Sequence, residues 1–111
     1  MRKEENRQIY QISKRAQSNQ FLGSRDLALQ IRNEVESLLA AGHEVEINFS
    51  NIAISHSFAD ELVGVLLLQN GPAVLEKVIF KDCFDSVKAL IQFVVADRYD
   101  QFDGAGRSAY S

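Results

Sequence analysis

The apolar residues of this chain change period along its length, and each period predicts an element. "IYQIS" alternates weakly through Ile9, Tyr10, Gln11 and Ile12, the pattern of a short strand, with a second short one near "QFL" as a hairpin partner. "GSRDLALQIRNEVESLLAAG" is helical. Ser24 suits the N-cap, Asp26 the positive helix end, and Leu27, Ile31, Val35, Leu38 and Leu39 share a face before Gly42 closes it. "EVEINFS" sets Val45, Ile47 and Phe49 against Glu44, Glu46 and Asn48, the period of a strand covered on one side. Residues 58–69 read as a helix ended by Asn70, Gly71 and Pro72, and "EKVIFKD" as a strand over 76–81. In "CFDSVKALIQFVVADRY", Val87, Leu90, Ile91 and Val94 recur at helical spacing, and the tail "DGAGRSAYS" is expected to be disordered. Strand 44–50, helix 58–69 and strand 76–81 have the lengths of a βαβ crossover, so the two strands should be parallel. The economical architecture is an α/β sandwich of roughly four strands in a mixed sheet, with about three helices packed mainly on one face.

With 111 residues, 46% apolar and 24% charged, the chain fits one globular domain, here 8–99. The net charge of −3 gives no general attraction to nucleic acid or to an anionic membrane. Charge is uneven: residues 1–15 hold five basic and two acidic side chains, a net +3, against −6 for the rest. A flexible basic arm over 1–7 and a disordered tail over 100–111 follow. The lone Cys83 and the absence of an N-terminal hydrophobic run point to the cytoplasm. The longest apolar stretch, Leu62 to Leu68, is far short of the ~20 residues a membrane helix needs.

The chemistry concentrates in "NFSNIAISHSFADELVGVLLL", where Ser55, His56, Ser57, Asp60 and Glu61 crowd a strand-to-helix junction. Ser57 with Asp60 three residues on is the pattern of an N-cap with an acidic partner. A phosphate on Ser57 would gain from the helix dipole but be repelled by Asp60 and Glu61 in the first turn. A metal site on His56, Asp60 and Glu61 is disfavoured, because consecutive helical residues project about 100° apart and no HExxH or Cys/His pair is present. Ser24 and Arg25 in "FLGSR" could cradle a phosphate, although a plain cap accounts for the serine. Cys83 reads as a small hydrophobe, and His43 has no assigned role.

The order helix, strand, helix, strand, helix, with a polar junction before the central helix, resembles the STAS domain of the anti-sigma-factor antagonists. "SHSFADELVG" after "EINFSNIAI", with "FLGSRDLA" upstream, resembles a bacterial STAS-like family of unknown function often found beside or fused to histidine-kinase-type ATPases; the similarity covers about residues 8–97. The antagonists carry "DSSGLG" here, with the second serine phosphorylated. In this chain His56 takes the place of the aspartate, Ser57 of the first serine and Phe58 of the phosphorylated one, a departure from the classical phosphoswitch.

The resemblance implies a non-enzymatic module that meets a protein partner, such as a histidine-kinase-type ATPase, through junction 51–61, with Ser55, His56, Ser57, Phe58, Asp60 and Glu61 at the contact and no cofactor. Two alternatives stand beside it: a small nucleotide- or phosphate-binding protein or enzyme using Arg25, Ser57, Asp60 and Glu61, and a structural subunit that forms homo-oligomers. An exposed Phe58 would favour the first reading; a buried one would anchor its helix.

Overall fold

The computed structural model describes residues 6–16 and 20–107. Three strands form one sheet: β1 (Arg7–Gln11), β3 (Glu44–Asn48) and β5 (Val78–Lys81), in the order β1-β3-β5. Both pairings are parallel, with Ile47 flanked by Tyr10 and Phe80. The expected parallel pairing of β3 with β5 is therefore present, over shorter spans than 44–50 and 76–81.

The second short strand, β2 (Phe21–Leu22), does not hairpin onto β1. It pairs in parallel with β4 (Ala53–Ile54), forming a separate two-stranded sheet. The anticipated four-stranded mixed sheet is thus a three-stranded parallel sheet plus this small pair. Each departure has a local cause. After β1 the chain enters a 3-10 turn over Ile12–Arg15, whose Ile12 is wholly buried, and so leaves the sheet. After β3, Asn48 Oδ1 accepts the Ser50 N–H at 2.9 Å and Asn51 adopts φ 59°, diverting the chain before Ala53 can extend the main sheet.

Three helices follow the strands: α1 (Arg25–Ala40), α2 (56–70) and α3 (Asp85–Arg107). The first and second carry the crossovers between the parallel strands. Val45, Ile47 and Phe49 are fully buried on the face shared with Tyr10, Val78 and the half-buried Phe80, and α1 packs there. The other face carries Glu44, Glu46, Ile79 and the 64%-exposed Ile9, and Arg7 lies across it, 3.6 Å from Glu44 and 3.8 Å from Glu46. Helices on one face match the expectation.

α1 begins as its sequence requires, with Ser24 Oγ accepting the Leu27 N–H at 3.2 Å. α2 combines an α turn at His56–Ala59, a π turn at Asp60–Gly64 and an α segment at Val65–Asn70; Gly71, at φ 81°, ends it. α3 buries Val87, Ile91 and Val94, as its periodicity indicates. It continues into the segment expected as a tail, whose residues 108–111 lie outside the described residues, as do residues 1–5 of the expected arm; Arg7 already belongs to β1. Among the described residues no helix is long and apolar enough to cross a membrane.

Candidate functional site

The junction is assembled by the short β2–β4 ladder. Ser55 N–H donates to Leu22 O at 3.1 Å, which keeps Ser55 extended (φ −81°, ψ 164°) and makes it the last residue before the helix. Ser55 is therefore the N-cap: its Oγ accepts the Phe58 N–H at 3.0 Å and donates to Gly23 O at 3.2 Å, tying α2 to the turn before α1. The cap expected at Ser57 is displaced by two residues. Ser57 lies inside the first helical turn, half-buried, and its hydroxyl has no hydrogen-bond partner among the described residues.

Phe58 is fully buried, so it anchors α2 in the core and presents nothing to a partner. The acidic pair also turns inward. Arg98 of α3 grips Asp60 with two hydrogen bonds, Nε to Oδ1 at 2.9 Å and Nη2 to Oδ2 at 2.8 Å, while Arg25 approaches Oδ2 at 3.5 Å. The Arg98 hydrogen bonds hold the Asp60 carboxyl below its ordinary pKa of 3.8, outweighing the opposing effect of burial. Glu61 faces Arg25 at 3.4 Å and Arg32 at 3.1 Å. Arg32 is almost fully buried and also donates to Glu61 O, Gln69 and Glu36, so its burial is compensated throughout the guanidinium.

The result is a brace in which three arginines from α1 and α3 hold two carboxylates of α2. Gly64 lets the helices close on it: a Cβ there would stand 2.8 Å from Asp60 Oδ1, 2.9 Å from Val94 Cγ1 and 3.0 Å from Arg98 Cγ. The proposed phosphate cradle is likewise occupied from within, since Ser24 Oγ caps α1 and Arg25 is opposed by two carboxylates. Burial raises the Cys83 thiol pKa, with Asp82 adding to it, which suits a packing role better than a nucleophile's.

What faces outward is aromatic. His56, exposed on the first turn of α2, meets Phe93 of α3 edge-to-face with ring centroids 5.7 Å apart; Phe93 is 63% exposed. Phe21 of β2 is 48% exposed, its ring lying over Gly23. Of the six junction residues singled out from sequence, the fold thus divides the set: His56 outward, Ser57 half-buried beside it, Ser55 as cap, Phe58 in the core, and Asp60 and Glu61 in the brace.

Sequence reasoning passed over Arg32, Gly64, Phe93 and Arg98. Two of them carried a signal. Arg98 follows Val87, Ile91 and Val94 at helical spacing on the buried stripe, and a lone glycine inside an apolar helical run marks a close approach. Phe93 carried none, because an exposed aromatic differs from a core one only in its surroundings.

No curated protein and no solved structure matches the chain. The family model for a STAS-like domain of unknown function (DUF4325) matches residues 28–88, a span that takes in β3, the junction, α2 and β5. With more than half its length matched, and with the one-sided α/β architecture above, the chain belongs to this STAS-like domain family.

Proposed function

We propose that the domain is a regulatory protein-interaction module, non-enzymatic in itself, that receives a signalling partner on the aromatic surface formed by His56, Phe93 and Phe21. The observation that carries this reading is the His56–Phe93 pair: a large aromatic side chain, 63% exposed, held against the first turn of α2 beside a rigidly braced junction. Exposed aromatics on a preorganised scaffold are the usual anchors of protein interfaces. Ser55, Phe58, Asp60 and Glu61 then act indirectly, by fixing the shape on which the aromatics sit. A histidine-kinase-type ATPase is the candidate partner. Ser57, with its hydroxyl unengaged at the helix start, is where a phosphate would alter this surface.

A nucleotide or phosphate site on Ser24 and Arg25 has less support, since an incoming phosphate would have to displace Asp60 and Glu61 from Arg25. The test is the affinity of His56→Asp and Phe93→Asp for a histidine-kinase-type ATPase encoded with the domain. Both positions are exposed, so stability should stay within ~0.5 kcal/mol of the parent while affinity falls about tenfold or more. Undiminished binding by both variants would refute the surface assigned here.

A further inference from the structure

We infer that Arg32 is a positioning residue for the aromatic surface: its guanidinium holds the π turn in the middle of α2, and that turn keeps His56 against Phe93. Its bearing on partner binding rests on the surface proposed above; the geometry stands without it. The buried residues of α2 recur at a spacing of four, Phe58, Leu62 and Leu66 on one line and Ala59, Val63 and Leu67 on the next. An α helix turns ~100° per residue, so each step of four overshoots a full turn by ~40°, and Phe58 would end roughly 80° away from Leu66. Both are nevertheless buried, at 0% and 1% exposure. The π turn at Asp60–Gly64 lies between them and reconciles the two, because its wider coil advances only about 80° per residue and takes back what the steps overshoot. α2 thus holds one residue more than a regular helix of the same span requires.

Such a turn is unfavourable by itself, since the change from four-residue to five-residue hydrogen bonding leaves one carbonyl without its usual amide. Val65 N–H reaches back to Asp60 O, the bond that defines the π turn. The next carbonyl, Glu61 O, accepts Arg32 Nε at 3.1 Å. The same guanidinium takes the Glu61 carboxylate through Nη2 at 3.1 Å and Gln69 through Nη1 at 2.8 Å, so one side chain of α1 spans the π turn and the α segment beyond it. An arginine at 5% exposure is unfavourable unless its N–H groups are engaged, and the orphaned carbonyl supplies the acceptor that accounts for the burial.

Beyond the turn, Leu66 and Leu67 fix α2 in the core. Before it, the first helical turn carries His56 outward and Phe58 inward. Relaxation of the π turn into regular helix would swing both by roughly 80° about the axis and take His56 off the Phe93 ring. Their centroids stand 5.7 Å apart while the turn is held. Arg98 grips Asp60 from the other side, but through the carboxylate; among the described residues Arg32 alone donates a side-chain N–H to a backbone carbonyl of the π turn.

The experiment reads the His56 ring protons by NMR in the full chain at one pH; their displacement by the Phe93 ring, relative to Phe93→Leu, measures the contact. Arg32→Met, which keeps an apolar stem and removes the guanidinium, should abolish most of that displacement. Deleting Glu61 from Arg32→Met removes the extra residue together with the orphaned carbonyl, so that Phe58 and Leu66 come within ~20° of two full turns of regular helix and the displacement returns. Deleting Glu61 alone should give the least stable of the three variants, because Arg32 is left buried without its acceptors. An Arg32→Met protein that keeps the full displacement would overturn the inference, as would a deletion variant of it that unfolds or lacks the displacement; should Arg32→Met not fold by itself, the deletion variant decides. Affinity for the histidine-kinase-type ATPase should fall about tenfold in Arg32→Met and recover with the deletion. An affinity that does not follow the displacement refutes the partner surface and leaves the role of Arg32 standing.

Discussion

Gly64→Ala sets two effects of similar size against each other. Gly64 lies inside α2 with ordinary helical angles (φ −62°, ψ −47°), so helix propensity alone favours alanine by ~0.8–1.0 kcal/mol. The added methyl, however, would lie 2.8–3.0 Å from three atoms: the Asp60 carboxylate, a Val94 methyl and the Arg98 stem. Two of these belong to an ion pair whose geometry leaves little slack, and the third is 1% exposed. Overpacking a tight contact costs ~1–3 kcal/mol, and with three neighbours obliged to move the upper part of that range applies. The net expectation is a loss of roughly 1–2 kcal/mol, a fall in Tm of about 5–10 °C for a domain of this size. Thermal unfolding by circular dichroism measures it. A cycle with Arg98→Ala supplies the control, because removing the Arg98 stem should lessen the penalty of the methyl. A Tm that rises in Gly64→Ala would mean that propensity prevails and that α2 and α3 do not approach as closely as the brace requires.

Other outcomes follow from the same geometry. Ser55→Ala should cost ~0.5–2 kcal/mol in chemical denaturation, through loss of the cap. Ser57→Ala should stay within ~0.5 kcal/mol; equal losses at the two serines would return the cap to dispute. Because folding lowers the Asp60 pKa, its stabilisation is fully present above the unfolded value near 3.8 and is lost as pH falls through the folded value. The Tm difference between the parent and Asp60→Asn should accordingly shrink on acidification, and a pH-independent difference would contradict the Arg98 pairing. Tyr10 is pushed up to about 12 by burial and by its hydrogen bond to Glu34, so its contribution is complete below pH 10 and disappears as pH rises through 12. Ultraviolet titration of wild type against Tyr10→Phe should show the missing phenol ionising well above the ordinary value of 10.

The sequence by itself determined the local elements. Period-two alternation identified β3, helical spacing identified α1 and the buried stripe of α3, and the lengths between them required parallel pairing of β3 with β5, because each of these depends only on which residues must share a face. The cap at Ser24 was legible for the same reason, since a cap is a contact three residues away. At the junction that local logic was misleading: "SHSF" offers two serines, and only the distant Leu22 carbonyl, by holding Ser55 extended, decides which one ends the strand. Tertiary structure also decided that β2 joins β4 instead of the main sheet, that Asp60 and Glu61 turn toward Arg25, Arg32 and Arg98, and that Phe58 is covered while Phe93 is not. A charged residue's partner and an aromatic's exposure depend on residues dozens of positions away, and a single chain written in order holds no periodic record of those distances.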